Sequence, residues 1–387
     1  MVKNIDAYNY DDIRPVNDDE VSAAIEELIA CDGLETALRY VLPSLDWEAL
    51  KAKLRLCKTK EQFKSSISYN LVLTVIKLTT TSLTISGGER ISKNACTFIS
   101  NHRDIVMDAA LLNVLLYDIG HSMTQIAIGD NLLIYPWIRP VFRLNNSFFV
   151  KRNLSGREKL NASRKLSSYI HHTITETKES VWIAQREGRA KDSNDTTHTG
   201  VLKMLTMGGE SDTLENLISL NIVPIAISYE YDPCDYLKAQ EMQLKRDHPD
   251  FEKSRRDDLL NMEMGILKNK GRIHFTIANP INQKLKTIAD QKNKNELITD
   301  VAAMIDEEIY KHYRFYPCNY AAFDLLNGGK RFAANYTENE LIEFQEYVKK
   351  QLDKTEIPNK DEPFLRRKML EMYSNPLKNH LKATGMI

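Results

Sequence analysis

From Leu83 onward the sequence breaks into short apolar runs bounded by turn residues, with helix-patterned stretches between them. That alternation restricts the possible folds more than any other feature of the chain. The runs are LTIS before Gly87-Gly88, CTFIS at 96–100, QIAIG at 125–129, SFFV at 147–150, VWIA at 181–184, IVPIAIS at 222–228 and RIHFTI at 272–277. Four to eight apolar residues between turn signals suit strands inside a sheet. Residues 104–118 and 155–178 carry the helical spacing expected between them. Strands alternating with helices predict an α/β domain over residues 83–282.

Both flanks read as helical. Asn17 and Glu20 form a capping signature before Val21, Ile25, Leu28 and Ile29. Asp46 precedes Trp47, Leu50 and Leu54, and Thr59 with Gln62 opens a stripe of Phe63, Ile67, Leu71, Val75 and Leu78. Residues 1–82 are therefore expected to form a helical N-terminal region. After Asn279-Pro280 the spacing of Leu297, Val301, Met304, Ile305 and Ile309 predicts a helical C-terminal region over 283–387. No stretch of about 18 residues is uniformly apolar, so no membrane-spanning helix is expected.

Charge and cysteine usage exclude further classes. Fifty-two Lys and Arg against 53 Asp and Glu give a net charge of -1, which provides no global field for nucleic acid; anion binding then needs a local basic pocket. Cys31, Cys57, Cys96, Cys234 and Cys318 are scattered and odd in number, as expected of thiols in a reducing compartment. The acidic start, MVKNIDAYNYDDIRP, lacks the apolar stretch of a secretory signal, and a cytoplasmic location is expected.

Four stretches carry candidate chemistry. FISNHRDIVMD, 98–108, places Asn101, His102, Arg103 and Asp104 in a polar turn between a buried strand and a helix, where α/β sheets hold catalytic and anion-binding groups. His102 could act as a general base on a hydroxyl with a carboxylate fixing its tautomer. Asp104 and Asp108 both compete for that supporting role, and Asp108 can serve only if His102 lies in the turn before the helix. NNSFFVKR, 145–152, ends an apolar strand on Lys151 and Arg152. QREGRAKDSND, 185–195, gathers Arg186, Glu187, Gly188, Arg189 and Lys191 after a strand, a group suited to phosphate. IVPIAISYE, 222–230, read alone, is core.

In this order the four resemble the glycerolipid acyltransferase superfamily, whose members move a fatty acyl group from acyl-carrier protein or coenzyme A to a glycerophosphate hydroxyl. The resemblance covers about residues 83–282 and implies a mixed sheet flanked by helices. NHR followed by Asp108 is similar to the family's N-H-x4-D block, one residue longer. NNSFFVKR resembles the second block, REGRAKD the third, E-G-x-R-S, with Arg189 one position early and Lys191 one late, and IVPIAISYE the fourth. The paired aromatics of FFVKR and the later TGVLKM lean toward the glycerol-3-phosphate branch.

The resemblance implies direct acyl transfer. His102 is the expected base, Asp108 or Asp104 its carboxylate, Arg152, Arg189, Lys191 and Arg103 the phosphate-binding cations, and Glu187 and Gly188 positioning residues. The acceptor is expected to be glycerol-3-phosphate or its 1-acyl derivative, with a hydroxyacyl amino acid as an alternative. No cofactor or metal is expected beyond the acyl-carrier protein or acyl-coenzyme A co-substrate. No G-x-S-x-G elbow is present, and the adjacent His171-His172 pair reads as surface. The competing readings are a non-catalytic lipid or acyl-carrier binding module and a hydrolase using Ser100. The enzyme is expected to meet the inner face of the cell membrane peripherally, through the 63–78 stripe or the aromatic stretch IYPWIRPVF at 134–142.

Overall fold

The computed structural model describes residues 9–288 and 293–387. Residues 1–8, on which part of the N-terminal reading rests, lie outside them.

The N-terminal elements are α1 (Val21–Ala30), α2 (Leu34–Val41), α3 (Trp47–Leu56), α4 (Lys60–Phe63) and α5 (Tyr69–Thr79). Asp46 caps α3 by accepting from the Ala49 N–H at 3.0 Å, and Thr59 with Gln62 forms the expected capping box on α4. A π-helical turn, Lys64–Ser68, joins α4 to α5. The sequence patterning did not reveal α2, because eight residues are too few to establish a period. Phe63, Ile67 and Val75 are buried, whereas Leu78 is 67% exposed. Most of that stripe therefore packs on the protein.

One seven-stranded sheet follows, from β1 (Ser82–Ser86), β2 (Thr97–Ser100), β3 (Gln125–Gly129), β4 (Ser147–Val150), β5 (Val181–Ala184), β6 (Ile222–Tyr229) and β7 (Arg272–Ile277). Its order is β1-β7-β6-β2-β5-β3-β4. Every neighbouring pair is parallel except β6 and β7, which are antiparallel. Each expected apolar run coincides with a strand. β2 and β6 are buried along their whole lengths, as interior strands covered on both faces should be. Pro224 is tolerated in β6 because the β7 ladder ends at the Ile225–Ile277 pair. The Pro224 carbonyl accepts from Ala278 N at 2.9 Å just past that point, so the missing N–H falls where no ladder partner is required.

The connecting helices are α6 (Met107–Asp118), α7 (Ile138–Leu144), α8 (Gly156–Thr175), α9 (Thr199–Leu205), α10 (Thr213–Ser219), α11 (Asp235–Asp247) and α12 (Arg255–Leu267). They are followed by α13 (Asn282–Leu285), α14 (Lys294–Lys311), α15 (Pro317–Asn327), α16 (Glu338–Asp353) and α17 (Glu362–Ala383). The two sheet faces build separate cores. Phe98, Trp182, Ile225 and Phe275 meet Leu111, Leu112 and Leu116 of α6 on one face. On the other, Ile99, Val181 and Ala226 meet Ile170 of α8, Leu202 of α9 and Val301 and Ile305 of α14.

One expectation is corrected. His171 is buried, with Nε2 on the Leu205 carbonyl at 2.9 Å, and burial pushes its pKa down, so the His171-His172 pair is not simply surface. Within 134–142, Ile138 and Pro140 are buried and Trp137 packs on the N-terminal helices; Tyr135, stacked on Trp137, stays exposed.

Candidate active site

Ser100 ends β2 in the middle of the sheet, and Asn101 locks the chain as it leaves. Its side-chain amide donates to the Ile227 carbonyl at 2.9 Å and its carbonyl oxygen accepts from the Ile227 N–H at 2.8 Å, tying the turn to β6. The turn does not enter the helix at once. Asp104 Oδ1 accepts from the N–H groups of Val106 and Met107 at 2.9 and 2.8 Å, capping α6 and leaving His102 outside it.

That geometry separates the two carboxylates. His102 Nδ1 lies 2.8 Å from Asp108 Oδ2, which also accepts the backbone N–H groups of Arg103 and Asp104 at 2.6 and 3.0 Å. The additional residue between His102 and Asp108 is absorbed in the capped turn. Asp104 does not contact the imidazole; burial first, and the charge of Asp108 second, push its carboxyl pKa up. The His102 ring packs edge-on against Trp182 of β5, with centroids 5.7 Å apart. With Nδ1 engaged, Nε2 is the nitrogen left to meet the cavity that His102 lines.

This cavity, about 930 Å³, has an apolar wall from α5, α6 and β3, including Val72, Ala109, Val114 and Ile128. The volume suits a lipid-sized ligand. His102, Arg152, Glu187, Gly188, Arg189 and Lys191 all line it. Gly188 adopts a left-handed φ of 68°, which glycine takes without penalty. Arg152 Nη1 is 2.5 Å from Glu187 Oε1. Arg189 is 5% exposed, its Nη2 donating to Asn261 Oδ1 of α12 at 2.8 Å while Nη1 has no partner. Lys191 pairs with Glu241 of α11 at 2.8 Å.

Arg103, expected among the phosphate-binding cations, is not part of the cavity wall. Its buried guanidinium is held by Asp195 at 2.7 Å and lies over the Tyr313 ring. The Arg103 carbonyl accepts from Lys238 of α11 at 3.1 Å, and Lys238 is paired in turn with Asp232. Ser100 is equally committed: its Oγ accepts from Trp182 Nε1 at 3.0 Å and donates to the Asn101 carbonyl at 2.8 Å, with no exposure. It is not a nucleophile positioned beside His102.

Sequence reading missed Trp182, the Asn101 lock, and the cations Lys159, Lys253 and Arg255 that also line the cavity, as does Arg186 of the expected group. Lys253 and Arg255 sit in FEKSRRDD, whose only local signal is the Ser254–Asp257 capping box of α12. Among the described residues no group of His, Cys, Asp and Glu is arranged to hold a metal ion. No helix among them is long and apolar enough to cross a membrane.

The family model for acyltransferases matches residues 82–228, from the start of β1 into the fourth motif block. Over those residues, which hold the four ordered motifs, the chain is similar to acyltransferases. Among solved structures, the chain is similar to PlsC, the 1-acyl-sn-glycerophosphate acyltransferase from Thermotoga maritima, at 10% identity and a TM-score of 0.37, over 76% of this chain and 96% of that one. No curated protein matches it in sequence.

Proposed function

We propose that the protein transfers a fatty acyl group from an acyl-carrier-protein or coenzyme A thioester to the hydroxyl of glycerol-3-phosphate or 1-acylglycerol-3-phosphate. His102 Nε2 takes the hydroxyl proton, the oxygen attacks the thioester carbonyl, the C–S bond breaks, and the imidazolium returns the proton to the leaving thiolate. No acyl-enzyme forms. Asp108 keeps Nδ1 as the donor and stabilises the imidazolium. The observation that carries the reading is the position of His102, backed by Asp108, in a cavity with both an apolar wall and a group of cations. An acyl chain and a glycerophosphate have those two characters.

The decisive measurement is acceptor-dependent thiol release by His102→Ala. Loss of a general base lowers the rate by about two to four orders of magnitude. An unchanged rate at saturating acceptor would remove His102 from the chemistry. Screening glycerol-3-phosphate, its 1-acyl derivative and hydroxyacyl amino acids with one donor identifies the acceptor. We further propose that the enzyme works at the membrane surface, since an acyl-bearing product has to return to a bilayer that no helix among the described residues crosses. The apolar wall and the exposed Tyr135 support that reading.

A further inference from the structure

Asp108 holds three donors on one oxygen and none on the other. Oδ2 takes His102 Nδ1 and the N–H groups of Arg103 and Asp104, whereas Oδ1 is buried with no hydrogen bond formed. The last torsion of an Asp side chain is soft, so contacts on one oxygen fix that oxygen and leave the plane of the carboxylate loosely set. That plane governs how the His102 ring is aimed. A matching donor comes from β6. Tyr229 ends that strand, two residues beyond Ile227, which Asn101 ties to the catalytic turn. Its side chain shares a core with Met107 and Ala109 of α6, the residues on either side of Asp108. Its hydroxyl is likewise buried with no hydrogen bond formed.

We propose that the Tyr229 hydroxyl donates to Asp108 Oδ1, and that Tyr229 is thereby a positioning residue for His102. One buried donor and one buried acceptor, each costly to leave unpaired, satisfy each other in this way. The carboxylate is then anchored on both oxygens, by the turn after β2 and by the end of β6. Burial first, then the charges of Asp108 and Asp104 and the approach of the hydroxyl to Asp108, push the phenol pKa well up, so the group keeps its proton as a donor. Asp104 Oδ2 is a second buried acceptor without a partner. It is turned toward α12, where a Cβ on Gly265 would meet it at 2.0 Å. Tyr229 does not line the 930 Å³ cavity, so it acts on a substrate only through Asp108 and His102.

The consequence for acyl transfer rests on the functional reading above; the hydrogen bond does not. Tyr229→Phe removes one oxygen and keeps the ring packing, so thermal melting of the full-length variant tests the bond first. Losing a donor to a carboxylate is expected to lower the melting temperature by about 2–4 °C. Removing a hydroxyl that bonds nothing would leave the melt unchanged or raise it, and that result overturns the proposal. In steady-state acyl transfer, Tyr229→Phe is expected to lower kcat about three- to tenfold. KM for donor and acceptor should stay within about twofold, since the residue touches neither. The loss should persist in an Asp104→Asn background and shrink below about twofold in Asp108→Asn, where no carboxylate remains to be oriented. Equal losses in the two backgrounds, or a loss abolished only by Asp104→Asn, overturn the assignment to Asp108. If the melt falls but no glycerophosphate is acylated, the functional reading fails and the bond stands. If glycerophosphate is acylated with an unaltered kcat in Tyr229→Phe, the positioning role fails and the reading stands.

Discussion

Asp104 and Asp108 are four residues apart in one turn and face different neighbours. Asp108 receives the His102 imidazole and two backbone N–H groups, whereas Asp104 caps α6. Asp108→Asn is expected to lower kcat by about two orders of magnitude or more, because an amide neither enforces the tautomer nor stabilises imidazolium. Asp104→Asn should stay within a few-fold of the parent, since Asn caps as well as Asp. Equal effects in a steady-state assay would contradict this division. Lys191 supplies a pH test. Its folded pKa of about 7 lies below the ordinary lysine value, so in the empty protein it is largely deprotonated well above pH 7. A bound anion raises that pKa, so phosphate binding should take up protons at pH 7.5–8 and cease to do so below about pH 6. Calorimetry in buffers of different ionisation enthalpy reads the uptake, and none at pH 8 would place the anion away from Lys191. The place of His102 was legible because a strand end, a polar turn and a helix start are local signals. The destination of Arg103 was not: Asp195 lies 92 residues further on, and nothing local to either residue indicates that a buried ion pair joins them.

At the scale of elements, α12 is packed closely on the catalytic turn. A Cβ on Gly265 would sit 2.0 Å from Asp104 Oδ2, and the carboxylate cannot retreat without releasing its cap on α6. Gly265→Ala is therefore expected to destabilise the protein by about 1–3 kcal/mol, as overpacking does, and to lower activity by displacing the turn. A thermal melt and a kcat measurement check both, and an unshifted melt would show that the contact yields. The strands were readable because interior strands are short, apolar and bounded by turn residues. Their directions were not. The run RIHFTI has the same composition whichever way it pairs, and only the chain returning from α12 makes β7 antiparallel to β6. The role of α11 was equally hidden, because Lys238, 1% exposed in the core, acts through the Arg103 carbonyl and Asp232 and leaves no pattern in sequence.

For the whole molecule, a net charge of -1 coexists with a cavity wall rich in Lys and Arg. The compensating carboxylates are distributed elsewhere, and composition alone could not reveal that separation. The C-terminal helices connect to the site through a continuous set of contacts. Tyr373 of α17 donates to Asp235 at 2.7 Å and accepts the Asp232 N–H at 3.2 Å; Asp232 pairs with Lys238, which holds the Arg103 carbonyl. The antiparallel return of β7 has a consequence for how such a molecule can be altered. Tyr229 and Ile273 are cross-strand partners, so the intervening residues leave and rejoin the sheet at adjacent points on the side where His102 lies. A segment tethered in this way is a cassette. Chain-closure entropy grows by only about 0.6 kcal/mol for each doubling of loop length, so the connections around α11 and α12 can vary in length at small cost to the ladder beneath. The catalytic turn comes from β2 and Lys253 on the cavity wall from this cassette, so the wall can change at such a position while Lys238 and Gly265 keep the cassette seated on the turn.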